Sequence, residues 1–207
     1  YFHDTGMGIT LNDFNELSKQ IDFGDYFETH DKDNYPEIIR NFHNEYSGLF
    51  IKKYQHFFEF PSKEHMFAIV QISRGHRKTD LSDEEQYPKA LKLYNGNSIC
   101  LVYASALVRL ADEIDITASR NSHAIYDLSK IEHEIDLIEF MKHEAVKDLK
   151  IEEKEFVMVV STDDEAIYQG LEKVAAKMQK TLDNCRSVVN GNTPFEITQE
   201  RVVIKRI

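Results

Sequence analysis

The chain has 207 residues, of which 42% are apolar and 29% charged, and its formal net charge is −11. That length supports one good core, or one core with a small appendage, and the acidity excludes a non-specific nucleic-acid surface. Two cysteines and four prolines argue against a disulfide framework and against a low-complexity chain; no apolar run is long enough to span a membrane, so a cytoplasmic globular protein is expected.

In chain order, Tyr1 to Thr10 reads as a short aromatic start, a His-Asp pair and a Gly-rich turn. Thr10 fits a helix N-cap, and Leu11, Phe14 and Leu17 share one face of a helix reaching about Gln20. Asp22 to Asn34 is acidic and broken, as a loop is. Pro36 suits the first turn of a helix running to about Phe58, with Ile39, Phe42, Tyr46, Leu49, Phe50 and Tyr54 at helical spacing. Pro61 and Ser62 open another helix to about Ser73, weakened by Gly75 before His76. An acidic loop follows, then a short helix at Lys89 to Leu93 and a turn at Asn95-Gly96.

Asn97 to Asp115, NSICLVYASALVRLADEID, is apolar on every side over most of its length and ends in acids. It is expected to be a central helix with the others wrapped round it. Ile131 to about Val146 is read as a charged amphipathic helix. Near Leu149 the character changes: Glu155 to Ser161 is β-branched and apolar, Ile167 to Val189 has a helical apolar stripe, and Phe195 to Ile207 holds one or two strands. The expected division is therefore a helical part, 1–148, and a β-α-β appendage, 149–207.

Metal-type side chains occur at His3-Asp4, His43, His76 and Asp112. Carboxylates at the end of a buried helix are costly without a cation partner. A mixed imidazole and carboxylate set suits manganese, iron, zinc or nickel better than magnesium or calcium. No pair has a spacing that marks a site locally, so the ligands would converge from different helices.

His3-Asp4 followed by TGMGIT resembles the HDIG turn of the HD-domain metal-dependent phosphohydrolase superfamily. Val108 to Asp115, VRLADEID, resembles its late helix, whose first Asp is a metal ligand. Phe42 to Ser47, FHNEYS, and Arg74 to Lys78, RGHRK, resemble the intermediate histidine motifs. The four segments cover roughly residues 1–121. The resemblance implies an HD-type helical bundle with a small α/β unit, binding one or two divalent transition-metal ions. It gives His3, Asp4 and Asp112 to a first ion and Asp4, His43 and His76 to a second. It places the first His of the signature upstream of His3, so an N-terminal portion is expected to precede Tyr1.

The implied activity is hydrolysis of a phosphoester or phosphoanhydride in a small ligand, above all a nucleotide. Arg77, Lys78, Arg109 and Arg120 are the cations placed to steady phosphate oxygens. Asp4, Glu45 and Asp115 are placed to orient ligands or move a proton. Members with two ions often carry paired histidines where this chain has His76-Arg77, which motivates an alternative: an HD-fold nucleotide sensor without turnover. A third class is an interaction module, in which the C-terminal strand pairs with a second copy or with a further domain of the same polypeptide.

Overall fold

A computed structural model describes residues 2–117 and 144–207. Arg120 and most of the helix expected from Ile131 lie outside the described residues. The chain is mainly α, with a small α/β part, and forms two compact units, residues 1–109 and 110–207.

The first unit begins with a 3-10 turn, Thr5–Gly8, and helix α1, Leu11–Leu17. The Thr10 hydroxyl accepts the Asp13 N–H, as expected of an N-cap. Helix α2, Tyr35–Lys53, is capped by the Asn34 side chain and carries Pro36 in its first turn. It stops earlier than its apolar pattern implies, and a 3-10 turn at Gln55–Phe57 carries the remainder. Helix α3, Lys63–Gly75, starts at Ser62, whose hydroxyl accepts the His65 N–H. Phe14 and Leu17 of α1 pack against Ile38 and Tyr46 of α2, with Phe23, Phe27 and Phe42 around them.

Leu91–Lys92, expected to be helical, forms strand β1 of a small antiparallel hairpin with β2, Ser98–Ile99. Gly96, at φ 83°, supplies the left-handed turn between them. Hairpin pairing thus overrides the helical preference of Lys89 to Leu93. Helix α4 is Leu101–Ile114, shorter than the apolar run that precedes and contains it. It is not enclosed all round, because Leu107 is 43% exposed while Leu101 and Ala106 are fully buried.

One buried ion cluster ties α1 to α2. The Asp13 carboxylate accepts from Lys53 Nζ at 2.9 Å, from the Tyr54 hydroxyl at 2.7 Å and from the Thr10 hydroxyl at 2.7 Å. The Lys53 hydrogen bond first, then those of Tyr54 and Thr10, hold its pKa far below the ordinary carboxylate range. A carboxylate with a depressed folded-state pKa contributes its stability in full above the unfolded value, about 4, and loses it as pH falls further. An Asp13→Asn protein is therefore expected to be less stable than wild type at neutral pH and to lose less stability on acidification. Urea unfolding at pH 7 and pH 3 measures both; parallel losses in the two proteins would contradict the pairing.

In the second unit, β3, Val146–Ile151, and β4, Glu155–Val160, form an antiparallel hairpin. Val146 thus opens a strand instead of closing a helix. Helix α5, Glu165–Val189, then crosses over to β5, Arg201–Arg206, which runs parallel to β4. The sheet order is β3-β4-β5, so β4 is central. The Asp164 carboxylate caps α5 by accepting from the Ala166 and Ile167 N–H groups. Ile167, Leu171 and Ala175 pack on Met158 and Val160 of β4 and Val146 of β3. Each large aliphatic side chain so buried is worth about 1.5–3 kcal/mol. The outer edge of β5 is partly covered: Gln179 of α5 accepts the Val202 N–H at 2.7 Å and donates to the Glu200 carbonyl at 3.1 Å.

Candidate metal centre

Three segments of the first unit bring the histidines together. The His3-Asp4 pair precedes the 3-10 turn, which lies directly on α2. The Gly6 N–H donates to the Ser47 hydroxyl at 2.8 Å, and that hydroxyl donates to the His3 carbonyl at 2.6 Å. A side chain at Gly6 has no room: its Cβ would lie 2.2 Å from the His43 carbonyl oxygen and 2.7 Å from the Ser47 nitrogen. Ser47 and His43 are four residues apart on α2, so one helix face presents both the ligand and the anchor of the turn.

His76 is the residue that ends α3 and is 2% exposed. Gly75 fixes its approach, because a Cβ there would meet the Ser105 side chain of α4 at 2.6 Å. Arg109, also on α4, donates from Nε to the Gly75 carbonyl at 2.9 Å and from Nη2 to the Thr79 carbonyl at 2.8 Å. It thereby caps the end of α3 and holds the following loop.

The result is a compact set of ligand-type atoms. His43 Nε2 and His76 Nε2 are 2.9 Å apart. Asp4 Oδ1 lies 3.4 Å from the first and 3.8 Å from the second, while Asp4 Oδ2 lies 3.3 Å from His3 Nε2. His43 is buried and Asp4 part-exposed, so the cluster opens to solvent on the Asp4 side. Ligand atoms about 2.1 Å from one ion, at tetrahedral or octahedral angles, sit roughly 3.0–3.4 Å apart. One oxygen of Asp4 faces the two buried rings and the other faces His3, an arrangement suited to a bridging carboxylate.

His43 Nδ1 lies 2.8 Å from the Arg40 carbonyl oxygen, and His76 Nδ1 lies against the Ser73 carbonyl. A carbonyl oxygen only accepts, so an Nδ1 proton on either ring would be held there and leave Nε2 with a lone pair; His43 Nδ1 also lies 3.1 Å from Arg77 Nη1, which donates to it in the other tautomer. With Nδ1 protonated on both rings, two lone pairs and a carboxylate oxygen converge, and they repel unless a proton or a cation lies among them. Carbonyls that hold the far nitrogen of a ring are also the usual support of metal-binding histidines. Asp4, His43 and His76 therefore fit a divalent cation, in charge, spacing and ring orientation. The family model described as HD-CE matches residues 1–184.

The chain belongs to the HD-CE family. This places it among HD-type domains, in keeping with the motif order of its sequence. Comparison of this HD-CE chain with curated proteins and with solved structures gives no match.

The other candidate residues are distributed as follows. Glu45 accepts from Arg74 Nε at 2.9 Å, in an ion pair that Gln71 and Gln86 extend through Arg74 Nη1. Arg77 is half-buried and bonds to the Arg40 carbonyl; Lys78 is exposed. Asp115 is exposed, just beyond the end of α4. Asp112, part-buried, lies in the last turn of α4, in the second unit. Its neighbour Glu113 pairs with Lys177 of α5 at 2.8 Å. Ser47, Gly6 and the Arg40 and Ser73 carbonyls were not apparent as parts of the site. Only the i, i+4 spacing of His43 and Ser47 hinted at one of them.

Proposed function

We propose that this HD-CE chain is a metal-dependent phosphohydrolase acting on a small phosphoester or phosphoanhydride, with a nucleotide as the preferred class. The observation that carries this is the convergence of Asp4 and the two Nε2 atoms of His43 and His76, each ring held through Nδ1 by a backbone carbonyl. Manganese, iron, zinc or nickel suits that donor set. Asp4, His43 and His76 would hold one ion. His3 and the second oxygen of Asp4 would serve another, with Asp112 as its third ligand by virtue of its place in the VRLADEID segment. A divalent ion supplies, when bound, acidification of water and withdrawal of charge from phosphoryl oxygens.

The chain's own groups provide the remainder. The Arg40 and Ser73 carbonyls keep the ring nitrogens aimed inward, and the part-exposed Asp4 side leaves room for a phosphate to approach. Lys78 is the exposed cation nearest in sequence to His76 and is assigned to the phosphate oxygens, with Arg120 as a second. Purified protein, reconstituted anaerobically with each metal in turn, is expected to retain at least one ion per chain and to release phosphate or nucleoside from a nucleotide panel. Protein that keeps no ion and turns over nothing defeats this assignment.

A nucleotide sensor without turnover is the second reading. It is favoured by Arg77, whose guanidinium sits 3.1 Å from His43 Nδ1 in the segment where paired histidines would be expected. Nucleotide-dependent thermal stabilisation with no product released would select it.

A further inference from the structure

Neither buried histidine of the cluster is placed by its own helix alone. Phe42, at φ −119° and ψ 15°, interrupts the helical backbone of α2 immediately before His43, and His76 follows Gly75, the last residue of α3. The bonds that tie α2 to α3 fall on the residues beside the two rings. Arg74, two residues before His76, lays its side chain on α2 at Gly48, where a Cβ would lie 2.7 Å from Arg74 Cγ. Its Nε donates at 2.9 Å to Glu45 Oε2, and Glu45 stands two residues after His43. Its Nη1 donates to Gln71 Oε1 at 3.1 Å and to Gln86 Oε1 at 3.0 Å. The Arg74 carbonyl, one of the last of α3, accepts Asn44 Nδ2 at 3.3 Å. Asn44 is buried and adjoins His43. The Arg74 and Glu45 side chains are only 24% and 26% exposed, and their pair belongs to a network, which is where an ion pair fixes geometry.

We propose that Arg74 and Glu45 are positioning residues for the cluster: their ion pair, with the Asn44 bond to the Arg74 carbonyl, sets the separation of His43 and His76. The two Nε2 atoms stand 2.9 Å apart, close to the separation that two nitrogens take on one ion. Gly48 lets the Arg74 stem lie against the backbone of α2, so the helices approach closely at this point. The bonded guanidinium then keeps them from parting. Glu45 is thereby assigned to geometry and not to proton transfer. This role rests on the metal assignment only for its consequence in metal affinity. The effect on the separation of the rings is independent of any ion.

The test uses the full chain with isotopically labelled histidine rings, first without metal. The two ring centroids are 4.9 Å apart, so wild type is expected to show a nuclear Overhauser contact between their carbon-bound protons. Its disappearance in His43→Gln and His76→Gln proteins assigns it. Arg74→Met keeps a stem on Gly48 but releases Glu45, Gln71 and Gln86, and is expected to weaken or abolish the contact. With Co2+ as the probe, Arg74→Met is expected to bind about 10-fold more weakly, as for other lost supporting partners, and with altered visible absorption bands. Glu45→Gln leaves Arg74 on Gln71 and Gln86; it serves if the Met protein does not fold, and should move both readouts the same way by less. No ring contact in wild type, or the same contact in the folded variants, overturns the proposal. Lower stability with the ring contact and Co2+ bands of wild type would make the pair merely structural and overturns it too. If wild type takes up no Co2+ while the variants lose the ring contact, the metal assignment fails and the positioning role stands.

Discussion

An Asp4→Asn protein is expected to lose metal and, with it, phosphate release. Asp4 touches both halves of the cluster, with Oδ2 3.3 Å from His3 Nε2 and Oδ1 3.4 Å from His43 Nε2. Asn keeps the shape but removes the charge that offsets a divalent ion, and it replaces one lone-pair oxygen by an NH2 donor. The loss of a merely supporting partner typically costs about 10–100-fold in metal affinity, and loss of a ligand that faces both ions should exceed that. Elemental analysis should show metal at background, and phosphate release should fall with it. The Asp4 side chain is 42% exposed, so the fold itself should be little affected. Thermal unfolding close to wild type without metal would separate a lost ligand from a lost structure. Wild-type metal content in this variant would remove Asp4 from the site.

Gly6→Ala is expected to give the largest stability loss of any single methyl addition in the first unit. The added Cβ would lie 2.2 Å from a carbonyl oxygen and 2.7 Å from a backbone nitrogen, neither of which can swing aside as a side chain can. Overpacking of this kind costs about 1–3 kcal/mol where the neighbours yield. The turn would have to rise off α2, breaking the Gly6–Ser47–His3 chain of hydrogen bonds and moving Asp4 from His43. Gly8→Ala is the control, because nothing lies within 4 Å of its Cβ position and neither glycine has a positive φ. Urea unfolding and metal content should therefore fall together for Gly6→Ala and stay near wild type for Gly8→Ala. Equal behaviour of the two variants would mean that the turn is not seated on α2 as described.

These two expectations draw on different kinds of information. His3-Asp4, His43 and His76 are legible as candidates because they stand in motifs of recognisable order; scarcity does not mark them, since the chain has 36 Asp and Glu and nine His. Gly6 was visible only as part of a Gly-rich turn. Its function is a distance to residues some forty positions later, which no local pattern encodes. The same holds for Arg109. The sequence offers it as a cation for phosphate oxygens, but does not say that it turns to the Gly75 and Thr79 carbonyls. Glu45, a candidate to move a proton, is held by Arg74 from the next helix, a partner that sequence spacing does not identify.

What the sequence determined by itself is the run of helices, their starts at Thr10 and Ser62, and the β-α-β crossover. Capping and apolar periodicity act over three or four residues, so a linear reading reaches them. Tertiary structure alone decided that Leu91–Lys92 and Val146–Ile151 are strands, since their hydrogen-bond partners come from other segments. It also decided which nitrogen of each ring faces inward. The Arg40 and Ser73 carbonyls lie against the two Nδ1 atoms, so Nε2 of each ring is the nitrogen turned toward Asp4.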